Sequence, residues 1–183
     1  NTSGGGCDIG EGEYTDAHFK DISTLSLSAA GIEDIKRREN SIPRVYDDAT
    51  GNVISSYDEL SGNPTIGIGH LIDQDEREYF KKYLGGEEGT DMSVDEIDSL
   101  FRRDLADHLS WRYSITVDIT QNMFDALADY AFNAGPGAAK QDGIIDLIND
   151  GEYIKAFETM CNSRTNGGRL ARRRKETAVS AIS

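Results

Sequence analysis

The chain has 183 residues, 37% apolar and 28% charged, which suits one soluble globular domain or a two-lobed one and argues against a disordered chain. Its 33 acidic residues outnumber 19 Lys and Arg to give a net charge of −14, which argues against nucleic acid as a partner, because duplex binding leans on phosphate neutralisation by cations. No apolar run approaches the roughly 20 residues that span a bilayer, so no membrane partner is expected.

The chain opens Asn-Thr-Ser-Gly-Gly-Gly, without Met and without a charged-then-apolar leader, so the expectation is a mature form or an excerpt of a longer protein. Residues 1–27 lack a sustained period and read as a linker-like extension, leaving 28–183 as the folded domain. From Ser28 to Glu39, Ala29, Ile32 and Ile35 recur at helical spacing among charges, and Pro43 argues against continuation. Residues 44–71 carry Val45, Val53-Ile54, Thr65-Ile66 and Ile68 between Gly and Asn breaks, the pattern of a small antiparallel sheet.

The remainder reads as helices. Asp73 to Tyr83 is a short one closed by Gly85-Gly86, and Ser93-Val-Asp-Glu96 is a capping box opening a helix through Leu100, Phe101 and Leu105. Thr120 caps another, with Met123, Phe124, Leu127, Ala128, Ala131 and Phe132 in its stripe and Gly135-Pro136-Gly137 at its end. Three more are expected at Ile144 to Ile148, Tyr153 to Met160 and Leu170 to Ile182. Cys7 and Cys161 are compatible with one disulfide in an oxidising compartment or with two thiols. No cofactor or metal is expected: His18, His70 and His108 are scattered, and the acidic and glycine positions of 52–64 do not fit a calcium loop.

The chemistry concentrates in one stretch. Glu39 stands nine residues before Asp48, and Thr65-Ile66-Gly67-Ile68-Gly69-His70 follows. Cutting a glycosidic bond needs one carboxyl group to protonate the leaving oxygen and another to activate water or attack the sugar. A general acid must stay protonated near neutral pH, which demands burial or a nearby carboxylate. Taken singly, each residue also has a plain structural reading: Glu39 as a surface acid paired with Arg37 or Arg38, Asp48 as a turn cap, Thr65 as a strand residue.

The order Arg38-Glu39, Tyr46-Asp47-Asp48, Gly51, Thr65-Ile-Gly-Ile-Gly-His70 resembles the phage-type lysozymes, glycoside hydrolase family 24. So do the helix Thr120–Leu127 with its Tyr130-Ala-Phe-Asn-Ala-Gly135 exit and, less closely, Arg169-Leu-Ala-Arg-Arg-Arg-Lys-Glu176, where Arg169 replaces a family glycine. The resemblance implies an α+β lysozyme-like fold, with a small β-hairpin lobe, a larger mainly helical lobe and the active-site cleft between them, and makes 28–183 a catalytic domain.

It further implies a muramidase that cuts the β-1,4 bond between N-acetylmuramic acid and N-acetylglucosamine with inversion. Glu39 would be the acid, Asp48 the base or stabiliser and Thr65 the water-positioning residue. Leu71, Phe132 and Asn133 match substrate-contact positions. Asp47 is expected to be a solvated neighbour, His70 to brace Glu39 or the hairpin, and Arg172–Arg174 to form an exposed helix face or to pair with peptide-stem carboxylates.

The expected partner is peptidoglycan glycan strands, met by a monomer in the periplasm or outside the cell by an unspecified export route. A free endolysin, a virion-associated lysin and a secreted effector with an immunity or inhibitor protein all fit. Two rival functions stand beside this one: a hydrolase of chitosan or chitin, and a non-catalytic peptidoglycan-binding module.

Overall fold

Ser28 opens the first helix, α1 (Ala29–Arg38), by accepting the Gly31 N–H at 3.0 Å, an N-terminal cap that satisfies one otherwise orphaned donor. Its own N–H and hydroxyl donate to the Asp125 carboxylate at 3.0 and 2.5 Å, which ties this turn to a helix 97 residues further on. Gly31 is required there: a Cβ would lie 2.7 Å from Asp125 Cγ. Lys36, Arg37 and Arg38 fill the last turn, where cations complement the helix dipole.

This computed structural model describes residues 6–183, and by their contacts they divide into two units: 6–33 with Asp107–Ser183, and Asp34–Ala106. The second unit holds the sheet, with β1 (Ile42–Asp47), β2 (Pro64–Gly67) and β3 (His70–Leu71) in the order β1-β2-β3, all antiparallel. Tyr46 pairs with Thr65, and Thr65 with Leu71. Gly67 and Gly69 take positive φ of 65° and 68° at the β2–β3 turn, a conformation that costs other residues a Cβ clash.

After the sheet, the helix expected from Asp73 to Tyr83 is broken into α2 (Arg77–Phe80) between two 3₁₀ turns. Then comes α3 (Val94–Asp107). Ser93 caps it by accepting the Glu96 N–H at 3.1 Å, while Glu96 is drawn sideways to the Ser93 hydroxyl and to the Tyr83 phenol. Ile35, Val45, Ile66, Phe80, Leu100 and Phe101 form the core of this unit. His70 is buried with them, its Nδ1 2.8 Å from Asp104 and its Nε2 3.1 Å from Glu76. The histidine therefore braces the hairpin, holding β3 against α3 and the turn before α2, which is the second of the two roles the sequence offered; its ring nitrogens are taken by Asp104 and Glu76 and not by Glu39.

The other unit is helical: α4 (Gln121–Ala134), α5 (Ala138–Gln141), α6 (Ile144–Asn149), α7 (Tyr153–Asn162) and α8 (Ala171–Ala181). Thr120 caps α4 by accepting the Met123 N–H at 3.1 Å. The apolar stripe of α4 lies at the centre of the core, with Met123, Phe124, Leu127 and Tyr130 fully buried, each such side chain adding about 2 kcal/mol of hydrophobic stabilisation.

The Arg-rich run of α8 departs from an exposed face. Arg172 is solvated, but Arg173 forms a buried pair with Asp129 at 2.9 Å, and Arg174 is only 1% exposed. Its guanidinium lies 4.9 Å over the Tyr130 ring and donates to Asn133 Oδ1 at 2.6 Å and to the Ser163 and Arg164 carbonyls. An unpaired buried charge is costly, so these contacts compensate what burial removes.

The expected 1–27 extension is in contact with this unit from Cys7 onward, residues 1–5 lying outside the described ones. Ile9 and Leu25 enter its core, Lys20 bridges Ile119, and the Glu13 N–H donates to the Ile182 carbonyl at 2.6 Å. Cys7 and Cys161 are joined in a disulfide with a Cα–Cα distance of 6.1 Å. No helix among the described residues is long and apolar enough to cross a membrane.

Two outcomes are expected. Reduction of the disulfide should lower unfolding stability by about 2–5 kcal/mol in urea titrations, and Cys161→Ser should do the same without reductant. For His70, burial pulls the imidazole down, but hydrogen bonds and charges from Asp104 and Glu76 outweigh it and raise the value. A group raised on folding stabilises fully below its unfolded value of about 6.5 and loses that contribution as pH rises through the folded value. Melting temperature should therefore decline above about pH 6.5 in the native chain, and Asp104→Asn should flatten that decline.

Candidate active site

The structure places Glu39, Asp48 and Thr65 in one unit, Asp34–Ala106. Glu39 closes α1: its N–H reaches back to the Ile35 and Lys36 carbonyls at 3.1 and 3.2 Å, and its side chain is half-buried at the helix exit. β1 then carries the chain to the turn that begins at Asp48. That carboxylate is exposed and is held by Asn63, whose backbone N–H donates at 2.8 Å and whose side-chain amide donates at 3.3 Å. Thr65 follows two residues later on β2, 5% exposed, its hydroxyl donating to the Asn63 carbonyl at 3.2 Å.

Tyr46 marks the convergence. Burial raises its phenol above the ordinary value, and the negative charges of Glu39 and Asp48 raise it further, so both carboxylates act on one ring. Directly paired residues of an antiparallel sheet share a face, so Tyr46, Thr65 and Leu71 stand in a row across the three strands. Leu71 is half exposed at the end of that row.

Asp47 is not the solvated neighbour that the sequence suggested. It is 2% exposed, and its two oxygens accept the N–H groups of Ala49 at 2.9 Å, Ser61 at 2.7 Å and Gly62 at 3.0 Å. These bonds hold the carboxyl well below the usual carboxylate range, the Ser61 bond acting most strongly. Gly62 has no room for a side chain, since a Cβ would lie 2.4 Å from Asp48 Oδ1. The signal for Asp47 was in the strand period: β1 continues through residue 47, so Val45 and Asp47 point one way and Tyr46 the other.

The 52–64 segment is anchored at several points. Besides Asp47, the Tyr57 phenol donates to the Arg77 carbonyl at 2.8 Å, and the Arg77 guanidinium lies 5.1 Å over the Tyr57 ring. Phe132 and Asn133 belong to the other unit, at the end of α4. The Phe132 ring is 5.8 Å from that of His108, and Asn133 Oδ1 is taken by Arg174. Tyr46, Asp47 and Asn63 are the residues sequence reasoning gave no role or the wrong one. No group of three or more potential metal ligands is found among the described residues.

The sequence profile of the phage lysozyme family matches residues 47–177, more than two thirds of the chain. The chain belongs to the phage lysozyme family. The matched segment is thus a lysozyme-type glycoside hydrolase domain of the peptidoglycan hydrolase class, and it includes Asp48, Thr65, Leu71, Phe132 and Asn133, with Glu39 eight residues ahead of it. The endolysin of Salmonella phage P22 is 26% identical over 162 residues, covering 85% of this chain and 97% of that protein. The endolysin of Bacillus phage B103 is 30% identical over 80 residues, so the match spans 43% of this chain but only 30% of that protein. Among solved structures, the muramidase domain of SpmX from Asticaccaulis excentricus is similar with a TM-score of 0.63 and 26% identity, covering 87% of this chain and 99% of that domain. These likenesses agree with the α+β lysozyme-like fold.

The two adjacent aspartates are separable by experiment. Asp47→Ala leaves three N–H groups without their acceptor and should lower the melting temperature by several degrees, whereas Asp48→Ala should change it little. A carboxyl depressed on folding stabilises above its unfolded value of about 4 and loses that contribution as pH falls through the folded value. Melting curves at pH 2–5 should accordingly lose stability in the native chain and show a weaker dependence in Asp47→Ala.

Proposed function

We propose that this chain is an N-acetylmuramidase that cuts the β-1,4 bond between N-acetylmuramic acid and N-acetylglucosamine in bacterial peptidoglycan. The observation that carries the reading is the geometry of the sheet: Tyr46 pairs with Thr65, Asn63 holds the Asp48 carboxylate two residues ahead of Thr65, and Glu39 closes the helix that leads into the same first strand. Glu39 protonates the glycosidic oxygen as the bond breaks. Asp48, kept in place by Asn63, acts as base or stabilises positive charge developing on the sugar. Thr65 positions the attacking water, and the product forms with inversion.

Leu71, exposed beside Thr65, is a glycan contact in this reading. Phe132 and Asn133 are further contacts, the Asn133 amide nitrogen offering a donor while its oxygen serves Arg174. The partner is the glycan strand, met by a monomer in the periplasm or outside the cell. As an endolysin or virion-associated lysin the chain would need no further protein for the reaction. As a secreted effector it would be matched by an immunity or inhibitor protein in its producer.

Glu39→Gln should abolish muropeptide release from purified peptidoglycan with an unchanged melting temperature. Activity at the native level in that variant, or cleavage of chitosan with no cleavage of peptidoglycan, would overturn the assignment. Proton NMR of the first-formed reducing end should show the inverted anomer.

A further inference from the structure

The row Tyr46–Thr65–Leu71 contains one polar group to which no function has been given. The Tyr46 side chain is half-buried, and among the described residues none forms a hydrogen bond with its hydroxyl, which stays open to solvent and so to a ligand. Its backbone is fixed on both edges: Tyr46 pairs with Thr65 on one side and bridges Val53 on the other. The flanking bonds are in place too, with the Asp47 N–H donating to the Asn52 carbonyl at 2.9 Å and the Ile54 N–H to the Val45 carbonyl at 3.0 Å. The ring is thus carried on rigid chain in the same row as Thr65 and the exposed Leu71, within range of the charges of Glu39 and Asp48.

We propose that Tyr46 is a substrate-binding group of this site, its hydroxyl hydrogen-bonding the sugar at the scissile bond and holding that ring between Glu39 and Asp48. The proposal rests on the reading of those two acids as the reacting groups. Three features of the chemistry favour a sugar as the missing partner. A phenol both donates and accepts, which matches a ring hydroxyl or an acetamido oxygen. Burial and the two neighbouring acids keep it protonated at working pH, so it adds no third negative charge where positive charge develops on the sugar. And its neighbour in the row, Thr65, presents the other hydroxyl of this face, so the two groups can fix the sugar and the water on opposite sides of the bond to be cut.

The test uses the native chain with Tyr46→Phe, which removes only the hydroxyl, and Tyr46→Leu, which removes the ring. The substrate is soluble peptidoglycan glycan strands freed of peptide, with melting temperatures measured alongside. Losing a hydrogen bond to the bound sugar should lower kcat/KM by roughly 10- to 100-fold in Tyr46→Phe at unchanged melting temperature. The pH–rate profile of Tyr46→Phe should keep the shape of the native one. Native kcat/KM in Tyr46→Phe together with impaired Tyr46→Leu would overturn the proposal, because the ring would then serve packing alone. A loss of activity in Tyr46→Phe that tracks a fall in melting temperature would overturn it as well. Glu39→Gln, assayed in parallel, separates the two levels: native activity there removes the reading beneath the proposal, whatever Tyr46→Phe does.

Discussion

A carboxylate taken out of water must be given hydrogen bonds in return, and Asp47 obtains them from the segment that it introduces. Ala49 lies just beyond it, while Ser61 and Gly62 lie at the far end of the excursion, so one side chain fastens the start of the segment to its end. With both ends fixed, Asp48 has one place to be, Asn63 is brought beside it, and β2 begins in register with β1. Thr65 therefore reaches its position opposite Tyr46 through a buried ionic group that does no chemistry itself. The neighbouring aspartate can stay exposed because its neighbour carries the structural load, a division of labour between two identical residues set by the alternation of a strand.

Local patterns were legible in the sequence. Thr120 and Ser93 announced their helices because a cap and the stripe behind it lie within a few residues of one another, and the structure places α4 and α3 accordingly. The order of Glu39, Asp48 and Thr65 was legible for the same reason, since the three sit within one short stretch. What escaped was set by partners distant in sequence. His70 meets Asp104 from 34 residues away, and Arg173 meets Asp129 from 44 residues away. Periodicity along α8 marked a charged face, but nothing in one dimension says that an acid on another helix will come to meet it.

The magnitudes explain why these distant pairs matter more than the rest of the charge. Exposed pairs such as Arg172–Glu176 are worth a few tenths of a kcal/mol each, so most of the acidic surface decides solubility and little else. Buried ions behave differently, because each must be satisfied fully or it destabilises. His70 between two acids and Asp47 among amides meet that constraint, while Arg174, held by an amide oxygen, two carbonyls and a ring, keeps its Nη1 without a hydrogen-bond partner. Each of them also fixes elements that the apolar core alone would leave free to slide.

The bond between Cys7 and Cys161 closes a covalent ring that contains Glu39, Asp48, Thr65, Phe132 and Asn133. A single cut anywhere inside such a ring severs the backbone without releasing a fragment, since both pieces stay joined through sulfur. The compartments where glycan strands are exposed also hold proteases. For a chain that works there, a nick in an outer loop such as Gly85-Gly86 would leave every candidate residue attached to one molecule.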